Sequence, residues 1–82
     1  MTTTKVRCVV LGLNANGRPD FFGTVVDVDF EGYNNGEHYD IAVARAERAG
    51  FEEVIIVYDE KDGPAWLFDN MFGEAPVIDV RP

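Results

Sequence analysis

The thirteen residues 37–49, Glu-His-Tyr-Asp-Ile-Ala-Val-Ala-Arg-Ala-Glu-Arg-Ala, are followed by Gly50 and by the run Glu52-Glu53-Val54-Ile55-Ile56-Val57-Tyr58. No other stretch constrains the fold as much. Tyr39, Ala42, Val43, Ala46 and Ala49 recur at the i, i+3, i+4, i+7 spacing of one helical face, so a stripe of mostly small side chains should turn inward. Such a helix can sit close to a sheet. Asn34 or Asn35 stands where a cap is needed, and Asn34 with Glu37 three residues on imitates a capping box. Glu37 and Asp40 fall in the first turn and Arg45 and Arg48 in the last, the polarity that the helix dipole favours. Gly50 supplies the left-handed residue that ends a helix, and Phe51 is placed to fold back on Ala46. Val54, Ile55, Ile56 and Val57 are apolar on both faces, which predicts a central strand covered on two sides.

Before the helix, residues 5–13 and 21–31 read as two strands, and the Asn14-Ala15-Asn16-Gly17-Arg18-Pro19-Asp20 segment between them is dense in turn residues. Charge suggests a hairpin register in which Lys5 faces Asp29, Arg7 faces Asp27, Val9 faces Val25 and Leu13 faces Phe21. One face then carries Val6, Cys8, Val10, Phe22, Val26, Val28 and Phe30, and should receive the helix. The other is charged at one end and apolar at the other, through Val9, Leu11, Leu13, Phe21 and Val25. One helix covers one face. The second is left for the C-terminal segment or for another chain, and an apolar patch of this kind marks an interface.

After Tyr58 the Asp59-Glu60-Lys61-Asp62-Gly63-Pro64 segment is a turn. Residues 65–72 fit two patterns. Pro64 ahead of the Leu67/Met71 and Phe68/Phe72 pairs, with Gly73 as a stop, favours a short helix, while Asp62-Gly63 also permits a hairpin into Trp66-Leu67-Phe68. Residues 77–80 read as a last edge strand between Pro76 and Pro82. The expected fold is a single α+β domain over residues 1–82. It is a small antiparallel sheet with one main helix on one face, in the order ββαβ, plus a short element and a C-terminal strand.

The residue inventory narrows function. The 82 residues include no serine, one cysteine and one histidine, which provisions catalysis poorly. Cys8 alternates with inward valines and reads as a buried structural thiol, since reactive thiols need exposure and a positive neighbourhood. His38 lies between Glu37 and Tyr39, where a solvated imidazole is the default. A small-ligand site or an enzyme would draw on His38, Tyr39 and Asp40. Asp27, Asp29 and Glu31 half-match a calcium loop, but His38 stands where the bidentate glutamate belongs. The residues between Gly12 and Gly17 lack the lysine of a phosphate loop. The reading is therefore of no catalytic residues, no cofactor and no metal. A lone cysteine fits a reducing compartment, and no apolar run reaches the roughly 20 residues of a membrane span, so a cytoplasmic home is expected.

Net charge is −8, and it is uneven: seven acidic against five basic residues over 1–50, and eight against two over 51–82. Scattered bases disfavour direct nucleic-acid binding, and an acidic surface suits a basic protein partner. Glu52, Glu53, Asp59, Glu60 and Asp62 would form that surface, and Leu11, Leu13 and Phe21 the apolar part of the interface. Homodimerisation through the second sheet face is the rival use of the same residues. The stretch Glu31-Gly-Tyr33-Asn-Asn-Gly-Glu-His38-Tyr39-Asp40, with residues 42–53 and Tyr58-Asp-Glu60, resembles short acidic proteins carried on phages and plasmids. In size and charge the chain is also similar to anti-CRISPR proteins. That likeness implies a non-enzymatic inhibitor of a nucleic-acid-binding partner and carries no functional residues across.

Overall fold

The computed structural model describes residues 2–72; the strand expected over residues 77–80 lies outside them. Strands β1 (Thr3–Leu13) and β2 (Pro19–Asp29) form the hairpin, helices α1 (Phe30–Asn34) and α2 (Glu37–Arg48) follow, and β3 (Glu53–Asp59) and α3 (Ala65–Phe72) complete the described chain. The fold is α+β, with an antiparallel sheet in the order β2-β1-β3. Among the described residues β1 is the central strand of the three. The apolar run in β3 has β1 on one side and, among the described residues, no strand on the other, and Ile55 and Ile56 are exposed there.

The hairpin register differs from the charge-based expectation by two residues. Lys5 faces Asp27, Arg7 faces Val25, Val9 faces Gly23 and Leu11 faces Phe21. A shift of two keeps every side chain on its face. It is the far side of β1 that explains the choice, because Arg7 is satisfied there by Glu60, with Nη2 to Oε2 at 3.1 Å and the Arg7 backbone N–H to Oε1 at 3.0 Å. Lys5 takes Asp27 at 3.1 Å, and Asp29 is released to cap α1 by accepting from the Gly32 N–H at 2.7 Å. Asp29 thus ends β2 sooner than expected. Phe30 is turned out into solvent as the first residue of α1 and does not join the inner face.

α2 begins and ends differently from a symmetrical helix. Gly36, at φ 76°, is its N-cap, and no side chain caps it, so neither Asn34 nor Asn35 plays the expected part. Its end follows the sequence: Gly50 takes φ 117°, the Phe51 N–H donates to the Ala46 carbonyl and the Gly50 N–H to that of Glu47. The buried stripe is His38, Ala42 and Ala46, rotated from the expected one by a residue, so Tyr39 is half-buried and Ala49 exposed. The alanines let α2 lie against Val6, Cys8, Val10, Val26 and Val28, closed at one end by Phe51.

Residues 65–72 are helical, and α3 covers part of the other sheet face. Leu67 and Phe68 bury against Val9, with Leu11, Tyr58, Met71 and Phe72 around them. Fully burying two such side chains contributes roughly 1.5–3 kcal/mol each. The close approach depends on Gly23, where a Cβ would come 3.2 Å from the Phe72 ring and 3.4 Å from Met71 Cβ. Arg7 bridges the layers, its guanidinium lying 5.5 Å over the Phe72 ring while it holds Glu60. Among the described residues, no helix is long and apolar enough to cross a membrane.

Candidate functional site

Two regions carry side chains that packing alone does not use, and they lie at opposite ends of β3. The first is built where the N-terminus of α2 meets the end of β3. His38 and Asp59 are 2% and 3% exposed, and His38 Nε2 lies 3.1 Å from Asp59 Oδ2. Because a carboxylate only accepts, Nε2 carries the proton, and in the neutral imidazole Nδ1 is then an acceptor. Nδ1 is buried and has no hydrogen-bond partner among the described residues. A buried polar atom left unmet costs about 1–3 kcal/mol. The imidazole is held between rings, stacked on Tyr33 with centroids 4.8 Å apart and tilted against Tyr39 at 4.2 Å.

Asp59 also organises the turn after β3. Its Oδ1 accepts from the N–H groups of Lys61 and Asp62 at 3.0 and 2.9 Å. Burial by itself would raise its carboxyl, yet the donors converging on it, led by the Asp62 N–H and the His38 ring, hold it below the ordinary aspartate value. Burial, and then the bond its hydroxyl donates to Asp62 Oδ2 at 2.9 Å, pushes the Tyr39 phenol well above its ordinary value. Over these groups opens a cavity of about 320 Å³, lined by Tyr33, His38, Tyr39, Asp59, Lys61 and Asp62 among others. Lys61 Nζ lies at its edge, 5.7 Å from the centre of the Tyr33 ring. Cys8, opposite Asp59 in the sheet, is fully buried, and burial followed by the charges of Asp59 and Glu60 pushes its thiol up to about 11.

The second region is on the α3 face of the sheet. Directly opposed residues of antiparallel strands share a face, so the pairings Phe21 with Leu11 and Leu11 with Ile56 define one apolar row across all three strands. α3 seals the neighbouring row of Gly23, Val9 and Tyr58 but leaves Phe21 44% and Ile56 40% exposed. The next row is Pro19, Leu13 and Glu53. Between these rows a bulge in β3 turns Ile55 outward.

The residues expected to bind a partner are thus divided. Leu11, Leu13, Phe21 and Glu53 share one face, with exposed Glu52 just before β3. Asp59, Glu60 and Asp62 stand at the far end of β3, roughly 20 Å away at about 3.3 Å per residue. Asp59 is not a surface carboxylate: it is buried by its bonds to His38 and the turn. Glu60 is engaged by Arg7, and Asp62 accepts from Tyr39. His38, expected in solvent, is buried instead, because the unforeseen α1 brings Tyr33 onto it. Asp40 is exposed and does not line the cavity.

Sequence reasoning missed Tyr33, Lys61 and Ile56. The helix break at Asn35-Gly36 hides that Tyr33 and Tyr39 flank one ring. The signal that was there is Asp59 three residues before Asp62-Gly63, the spacing of a side chain that caps its own turn. Comparison with protein-family models, with curated proteins and with solved structures finds no match to this chain.

Proposed function

We propose that this chain is a non-enzymatic, acidic interaction protein that docks in the cytoplasm on a partner protein with a basic, nucleic-acid-binding site and inhibits it, in the manner of anti-CRISPR proteins. The observation that carries this reading is the half-exposed row of Phe21, Leu11 and Ile56, which runs into Glu53 through the row beside it. An apolar strip edged by carboxylates matches a partner surface of apolar anchors among lysines and arginines. Net charge of −8 works against a second copy as the occupant, since like charges would be brought together. The inhibitory role follows from the likeness in size and charge to anti-CRISPR proteins. The weak accessibility of the imidazole supports the absence of catalysis, since a general base must reach its substrate.

The test uses a panel of purified CRISPR effector nucleases, assayed for DNA cleavage with and without the protein. Inhibition of at least one member, lost in Phe21→Asp and in the double variant Glu52→Lys/Glu53→Lys while thermal stability is retained, is the expected result. Lack of binding to any member, or binding that both variants leave unchanged, rejects the reading. Sedimentation showing a dimer that Phe21→Asp dissociates assigns the row to self-association instead.

A further inference from the structure

Two Asn-Gly dipeptides lie in the chain, Asn16-Gly17 at the tip of the hairpin and Asn35-Gly36 between α1 and α2, and the docking row uses neither. In such a dipeptide the second residue has no Cβ to shield its backbone nitrogen from the asparagine side chain. We infer that Asn16 is a site of spontaneous modification, deamidation to aspartate and isoaspartate with water as co-reactant, and that the fold protects Asn35 from the same reaction. The Gly17 backbone nitrogen attacks the Asn16 side-chain carbonyl carbon, Cγ. A C–N bond forms there, the Cγ–Nδ2 bond breaks, and the Gly17 amide proton leaves with Nδ2 as ammonia. Water then opens the cyclic imide. Opening at the side-chain carbonyl gives aspartate, and opening at the main-chain carbonyl gives isoaspartate, in which the chain runs on through Cγ.

The attack needs a free glycine N–H and a rotation about the asparagine Cα–C bond that swings the glycine. At Asn16 both demands are small. Asn16 and Gly17 are exposed, and a Cβ built on Gly17 meets nothing within 4 Å, so the peptide turns in open space. What must open is the bond from the Gly17 N–H to the Asn14 carbonyl at 2.8 Å, at the tip of a turn, where local opening takes least free energy. At Asn35 the same swing breaks the bond from the Gly36 N–H to the Tyr33 carbonyl at 3.1 Å. It also displaces the Gly36 carbonyl, which accepts from the Tyr39 N–H at 3.1 Å, and Gly36 is the N-cap of α2. Reaction there would unwind the first turn of α2 and unseat Tyr39 from the His38 ring. Reaction at Asn16 adds one negative charge to a chain of net charge −8, and as isoaspartate it adds a carbon to the main chain between β1 and β2.

The test incubates the full chain at mildly alkaline pH in water enriched in heavy oxygen and maps the label by mass spectrometry of its peptides. Label at Asn16 should accumulate at least about tenfold faster than at Asn35, the ratio that about one further hydrogen bond to break supplies. In concentrated urea the two sites should react at matched rates. Asn14→Ala removes the Oδ1 that accepts from the Asn16 and Arg18 N–H groups at 2.9 and 3.2 Å, and should speed the reaction at Asn16 about threefold in a chain that stays folded. Asn16→Ser should remove the label from the turn. An Asn16 that stays unlabelled in the folded chain, equal rates at Asn16 and Asn35 in the folded chain, or a contrast between them that persists in urea would overturn the inference.

Discussion

His38 Nε2 and Asp59 Oδ2 lie 3.1 Å apart in the seam between α2 and the end of β3, and this contact ties the helix to the turn that leads into α3. Asp59→Ala removes the imidazole's partner and the acceptor of two turn N–H groups together. A loss of about 3 kcal/mol is expected, as for other broken buried pairs. Urea denaturation followed by far-UV circular dichroism measures it, and a loss below about 1 kcal/mol would show that the pair contributes only what a surface contact does.

The acid side of the stability profile should carry the same contact. Asp59 has its carboxyl lowered from 3.8 in the folded state, so its contribution is fully present above that ordinary value and disappears as pH falls through the lower folded value. The stability difference between the wild-type chain and Asp59→Asn is therefore expected to be constant from neutral pH to about 5, and to shrink below about 4. Thermal melts of both proteins across that range test the sign.

Cys8 should be inert in the folded protein. Its thiol is fully buried and raised to about 11, so very little thiolate exists near neutral pH. Reaction with a disulfide reagent at pH 8 is expected to proceed at the rate of unfolding and to become immediate in concentrated urea. Prompt labelling without denaturant would contradict the packing of α2 over β1.

Gly23 sets the distance between α3 and the sheet. Gly23→Val places two methyl groups against the Phe72 ring and Met71, which are already near contact with a single added carbon. The cost of such overpacking is about 1–3 kcal/mol. Trp66 fluorescence should report it as a change local to α3, and an unchanged denaturation midpoint would mean that the helix shifts freely on its bed.

The hairpin register has its own measurement. A double-mutant cycle on Arg7 and Glu60 should return about 0.5–1 kcal/mol of coupling, decreasing with salt, since both side chains are a little over a third exposed. The same cycle on Arg7 and Asp27, which the charge-based register would pair, should return nothing.

Local signals were read well where they act locally. Gly50 and Phe51 specify the end of α2 by their own backbone and packing needs, and the alternation of Val6, Cys8 and Val10 assigns faces whatever the register. Pairing failed where a third strand decides it. Arg7 has two possible neighbours, and only the tertiary arrangement shows that Glu60, distant in sequence, is the nearer one. The apolar run at residues 54–57 reports burial tendency and not position in a sheet, and among the described residues it has a strand on one side only. The burial of His38 is hidden for a related reason: a polar residue in a first helical turn carries no mark of the ring that Tyr33 lays over it, and α1 rests on Asp29, whose charge alone suggests Lys5 as its partner.

A sheet order of β2-β1-β3 has a bearing on how the chain reaches its native state. β1 finds β2 through a short turn, a local event on the microsecond scale, but its other edge waits until about thirty residues beyond the hairpin have been joined and α2 has laid β3 alongside. The hairpin should form early, with the Phe21, Leu11 and Ile56 row completed only at the later, non-local closure. Substitutions in β3 should consequently slow refolding more than equally destabilising ones at the hairpin turn.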